Sequence, residues 1–66
     1  MRLTVNGEVR EAPDSATLAW LLASMGIETG RVAVERNREI APRSLWGETA
    51  LADGDRLEIV QFVGGG

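Results

Sequence analysis

Met1-Arg2-Leu3-Thr4-Val5-Asn6-Gly7-Glu8-Val9-Arg10-Glu11-Ala12 opens the chain. Leu3 and Val5 alternate with Arg2 and Thr4, the period of a strand buried on one face. Asn6-Gly7 is the strongest short hairpin signal, because both residues tolerate the positive φ of a type I′ turn. Residues 8–12 then return as a second strand, with Val9 expected to face inward. Pro13 has no N–H for a ladder and Asp14 favours a turn, so the strand ends there.

A helix follows the hairpin. Thr17 suits the N-cap, its hydroxyl accepting a free backbone N–H of the first turn. Leu18, Leu21, Leu22 and Met25 recur at i, i+3, i+4 and i+7 and make one apolar stripe. Gly26 suits the left-handed position that closes a helix. Trp20 lies off the stripe, as a partly exposed flank or as a contact residue. A hairpin followed by one helix buries the stripe only by laying the helix across the sheet. A right-handed crossover then brings a later strand in parallel beside the first.

The remaining elements are short. Ile27 packs as the chain leaves the helix, and residues 28–30 form a loop. Val32-Ala33-Val34-Glu35-Arg36 reads as a third strand, turned by Asn37-Arg38 into a short fourth strand at Glu39-Ile40, which Pro42 stops. Arg43-Ser44-Leu45-Trp46 reads as a single helical turn, with Leu45 or Trp46 covering the core. Asp53-Gly54-Asp55 lacks the spacing and closing Glu of a calcium loop and reads as a turn. Residues 56–63 form the final strand, which runs into Gly64-Gly65-Gly66. The expected fold is α+β: a small mixed sheet gripping one helix, with no repeats and no linker.

Composition narrows the function. The chain has 66 residues, 7 basic and 10 acidic, no His and no Cys, and a net charge of −3. A negative balance argues against nucleic acid, whose binding needs cations facing phosphate. Without His or Cys there is no triad, no thiolate and no zinc ligand set, so no catalytic residues and no metal site are expected. The carboxylates sit singly at turns and polar strand positions and read as solvated. No stretch resembles a signal peptide and no apolar run spans a bilayer, so no membrane association and a cytoplasmic location are expected. A domain this small has about 3–10 kcal/mol of stability. An empty pocket of about 300 Å³ would cost ~7 kcal/mol at ~24 cal/mol per Å³, so no cofactor cavity is expected. Function belongs on a surface or at the tail.

Two features point to the carboxyl-terminal end. Three glycines have nothing to bury and lose the most entropy on ordering, so residues 64–66 are expected to be a mobile tail. The alternative is a frayed end or an expression leftover. In the last strand Leu57 and Ile59 face inward, so Arg56, Glu58, Val60 and Phe62 share the outer face if the period of two holds. Val60 and Phe62 are then an exposed apolar pair, the mark of a partner surface; a bulge that tucks Phe62 away is the alternative. All seven cations are Arg. A lineage bias explains this, and so does a chain whose activated end must meet no amine.

Several stretches carry a resemblance. Val5-Asn6-Gly7, Thr17-Leu18 with Leu21-Leu22, Val34 through Asn37, Pro42-Arg43 with Trp46, Leu51-Ala52-Asp53-Gly54-Asp55, and Gly65-Gly66 match the ubiquitin-like β-grasp family. The whole chain resembles most closely the sulfur carriers of bacterial thiamine biosynthesis, the ThiS family. The di-glycine end is shared by all activated ubiquitin-like carriers, and the segment from Asn37 to Trp46 is the more discriminating. Gly64 is a departure that lengthens the tail without blocking the chemistry. The resemblance implies a β-grasp domain over residues 1–63 and a flexible glycine tail over 64–66. It implies that an E1-like enzyme adenylates the Gly66 carboxylate with ATP. Sulfur from a cysteine-derived persulfide then makes a thiocarboxylate, and thiazole synthase takes the sulfur. The chain is thus a co-substrate holding no cofactor of its own, with Gly64 and Gly65 threading into partner sites and Val60 and Phe62 docking. Other readings stay open: the small subunit of molybdopterin synthase, another ubiquitin-like sulfur carrier or modifier, or a docking module with an inert tail.

Overall fold

Asn6 and Gly7 turn the chain at φ 49° and 83°, and a two-residue turn sets the register of the strands it joins. In this computed structural model, which describes residues 1–62, β1 (Arg2–Val5) and β2 (Glu8–Glu11) pair antiparallel, Val5 opposite Glu8 and Thr4 opposite Val9. Facing residues of a pair share one side of the sheet. Leu3 and Val5 are buried and Thr4 looks outward, so Val9 goes outward with Thr4 and is 63% exposed. The inward placement expected of Val9 is therefore wrong. The turn opposes the two inward residues of β1 with Arg10 and Glu8, and β2 lies at the sheet edge with every residue exposed.

Among the described residues the sheet has five strands in the order β2-β1-β5-β3-β4, with β3 at Val32–Arg36, β4 at Glu39–Ile40 and β5 at Arg56–Gln61. β5 lies between β1, to which it is parallel, and β3, to which it is antiparallel. The expected parallel neighbour of the first strand is thus β5, the last of the described strands. Its expected final residue, Val63, and the expected boundary between domain and tail lie outside the described residues.

One helix, α1 (Leu18–Ser24), covers one face. Seven residues do not hold a helix in water by propensity; packing does. Leu18, Leu21 and Leu22 are fully buried in one cluster with Leu3, Val5, Val32, Val34, Leu57 and Ile59. Each such side chain contributes about 1.5–3 kcal/mol. The expected cap forms, Trp20 N donating to Thr17 Oγ1 at 3.1 Å. The neighbouring amides of Leu18 and Ala19 donate to the carbonyls of Thr49 and Trp46. Gly26, at φ 69°, turns the chain out of the helix. Met25 and Ile27 pack half-buried against the core, whereas Trp20 is an exposed flank at 40%.

Residues 41–55 close the open end of the core. Arg43–Leu45 is a 3₁₀ turn, and of the two residues named to cover the core it is Trp46 that does so, with Leu45 exposed. Trp46 Nε1 donates to Ala41 O at 2.9 Å. Arg43 lies over the Trp46 ring, 4.8 Å from its centroid, and donates to the carbonyls of Thr29 and Val32. The Pro-Arg-x-x-Trp stretch is thus a staple between the two irregular connections.

Candidate functional site

β5 positions the candidate residues. Its alternation holds to the end: Leu57 and Ile59 are buried, while Arg56, Glu58 and Val60 share the outer face. Phe62 keeps the parity, since its N–H still donates to Arg31 O at 2.8 Å. Val60 is 52% exposed and Phe62 58%. No bulge tucks Phe62 away, and the apolar pair lies on the uncovered side of the central strand.

Along the outer face the chemistry changes by rows. Val60 stands opposite Ala33, giving an apolar row beside Phe62. The next row sets Glu58 opposite Glu35, two carboxylates side by side. Like charges in that position cost stability. Arg38 and Arg56 line the same shallow groove, of about 480 Å³, together with Asn37. The face therefore grades from apolar at the carboxyl-terminal end of β5 to mixed charge at its start.

Two asparagines hold β5 from its two sides. β1 makes its last backbone bond to β5 from Asn6 N to Leu57 O, 2.9 Å. The chain then turns away, and the Asn6 amide continues the pairing. Its Oδ1 accepts from Ile59 N at 2.7 Å, and its Nδ2 donates to Ile59 O at 3.3 Å. Asn37, also at positive φ (51°), does the same at the other end. Its N donates to Arg56 O, its Oδ1 accepts from Arg56 N at 3.0 Å, and its Nδ2 donates to Asp55 Oδ1 at 3.0 Å.

Asp55 corrects the reading of every carboxylate as solvated. It is buried and accepts from Arg36, Asn37 and the Ala52 N–H. Burial by itself would raise its pKa; the bonds from Asn37, Ala52 and Arg36, with the Arg36 charge, outweigh that and hold the carboxyl below its usual range. This is a structural cluster: it ties β3 to the turn before β5. The hydroxyls of Ser24 and Thr49 bond to Leu21 O and Leu45 O. Among the described residues no group of three or more His, Cys, Asp or Glu is placed to hold a metal ion, and no helix is long and apolar enough to cross a membrane.

Gly64, Gly65 and Gly66 lie outside the described residues, so of the expected site residues the structure shows only Val60 and Phe62, both exposed. The second roles of Asn6 and Asn37 escaped the sequence reading. The available signal was an Asn, and not a Gly, at the first position of each two-residue turn.

Comparison with known proteins gives a consistent result. The ThiS family model matches residues 3–66. The sulfur carrier protein ThiS of Bacillus subtilis is 46% identical over 65 residues, covering 97% of this chain and 98% of that protein. A thiazole synthase of Paramagnetospirillum magneticum is 50% identical over 66 residues; the match takes in 100% of this chain but spans only 20% of that protein's length. The crystal structure of a thiamine biosynthesis protein (ThiS) from Geobacter metallireducens superposes with a TM-score of 0.83 at 35% identity, covering 100% of both chains.

Proposed function

The chain belongs to the ThiS family, and from that premise we propose that it is a sulfur carrier for thiamine biosynthesis, working as a protein co-substrate and not as an enzyme. The reacting group is the Gly66 carboxylate, a poor electrophile as it stands. An E1-like partner joins it to the α-phosphorus of ATP and releases pyrophosphate. AMP is then a good leaving group, and a glycine carbonyl has no Cβ to hinder attack. The outer sulfur of a cysteine-derived persulfide displaces AMP and forms an acyl disulfide. A further thiol cleaves this, and the carbonyl keeps sulfur in place of one oxygen. Thiazole synthase takes up that sulfur. ATP is spent by the partner, and this chain holds no cofactor.

The observation that carries this reading is the family match over residues 3–66. The chain's likeness to a segment of a protein named thiazole synthase supports that enzyme as the acceptor. The outer face supports the docking role: partners read Val60 and Phe62 and draw Gly64, Gly65 and Gly66 into their own sites, in the cytoplasm where ATP is at hand. The test is incubation with a cognate adenylating enzyme, ATP and a sulfur donor, followed by intact-mass spectrometry. The expected product is heavier by the difference between sulfur and oxygen. Absence of both adenylate and thiocarboxylate removes the reading. Deleting Gly66 separates a carrier, which loses its role while still binding, from a docking module, which keeps both.

A further inference from the structure

We infer that Asn6 is a positioning residue for the reacting end of the chain: its side-chain amide fixes the point from which β5 delivers Val60, Phe62 and the residues beyond. The inference rests on the carrier reading and adds a residue to it.

The geometry sets Asn6 apart from an ordinary turn residue. A type I′ turn needs positive φ at position 6, which Gly satisfies as well as Asn. Turn chemistry alone therefore does not call for an amide. Ile59 supplies the need. Its side chain is buried, and its N–H and C=O point to the side of β5 that β1 has just left. Backbone groups in such a place need partners. The Asn6 amide meets both at once, Oδ1 at 2.7 Å from Ile59 N and Nδ2 at 3.3 Å from Ile59 O. Only this orientation of the amide avoids setting NH₂ against N–H. The side chain thus acts as one more residue of β1.

The position of the clamp gives it consequence. Ile59 immediately precedes Val60, and on the β1 side no described residue bonds to β5 beyond it. Without the amide, the end of β5 is held from the β3 side alone. A partner that reads Val60 and Phe62 and takes in the following residues then meets a mixture of conformers. Apparent affinity falls by the fraction that is competent, while the chemistry after binding is unchanged.

The test uses the full chain with a cognate adenylating enzyme, read by ATP–pyrophosphate exchange, together with amide hydrogen exchange. Asn6→Gly keeps the turn and removes the clamp. Its Ile59 amide should exchange about tenfold faster, as for the loss of one net hydrogen bond. Its KM should rise about three- to tenfold with kcat within about twofold of wild type. Asn6→Asp tolerates the same φ and keeps an acceptor for Ile59 N–H, so it should fall between the two and serves if the Gly variant folds poorly. Thr17→Ala, which uncaps α1 away from β5, should lower the melting temperature and leave KM alone. An Asn6→Gly variant with wild-type KM overturns the inference even if Ile59 exchanges faster, since the role is then only structural. So does an equal rise of KM in Thr17→Ala. A wild-type chain that is not adenylated brings down the carrier reading as well; one that is adenylated, with KM indifferent to Asn6, brings down this inference alone.

Discussion

Arg36 sets both Nε and Nη2 on one oxygen of Asp55, at 2.9 Å and 2.8 Å. The pair joins the end of β3 to the turn that starts β5, and Asn37 and the Ala52 N–H complete the shell. Because the folded carboxyl titrates below its unfolded value, its stabilisation is fully present above the unfolded pKa of about 3.9. It is lost as pH falls through the lower folded value, since the unfolded state binds the proton first. Denaturant melts should therefore show stability declining below pH ~4. Asp55→Asn should be less stable at neutral pH by about 2–4 kcal/mol and should decline less steeply in acid. Parallel acid limbs in the two proteins would assign the decline to other groups.

Phe62→Asp places a charge in the apolar row without touching the core. Binding to the adenylating enzyme, measured by titration calorimetry, should weaken about tenfold or more. The melting temperature should stay where it is, because Phe62 is exposed. Unchanged affinity would mean that partners dock elsewhere.

Much of this architecture is legible in residue order, and the failures are instructive. The leucine stripe, the Thr17 cap, Gly26 and the parity of β5 are local patterns, and each appears in the fold. Val9 reads as inward because a valine in a strand suggests burial, whereas the Asn6-Gly7 turn dictates its side by counting: Val5 meets Glu8, so Thr4 meets Val9. Asp55 is illegible for a different reason. Its partners Arg36 and Asn37 lie 19 and 18 residues away, and a local motif of Asp-Gly-Asp carries no trace of them. The same holds for Asn6, whose second role requires Ile59, 53 residues on.

Arg43 staples the irregular connections by its fork and by its stack on Trp46. Arg43→Ala should cost about 1–2 kcal/mol, a fall of roughly 4–8 °C in melting temperature for each kcal/mol in a domain of this size. Arg43→Lys keeps the charge but not the planar fork and should recover little. Thermal melts of the three proteins decide it, and full recovery with Lys would reduce the staple to a charge effect.

Gln61→Lys introduces an amine on an exposed position of β5. During activation with ATP and the adenylating enzyme, this chain should acylate itself or a neighbour. Mass spectrometry would find the water-loss or dimer product. If no adduct forms, the absence of lysine is a matter of composition.

The placement of β5 has a further consequence during synthesis. Of the described strands, the one in the middle of the sheet is the last to leave the ribosome, so β1 and β3 wait for it and the hairpin cannot recruit its parallel neighbour any sooner. A truncated product ending before residue 56 would lack both ladders of the central strand. It would be a target for proteolysis and not a folded decoy competing for the same enzymes.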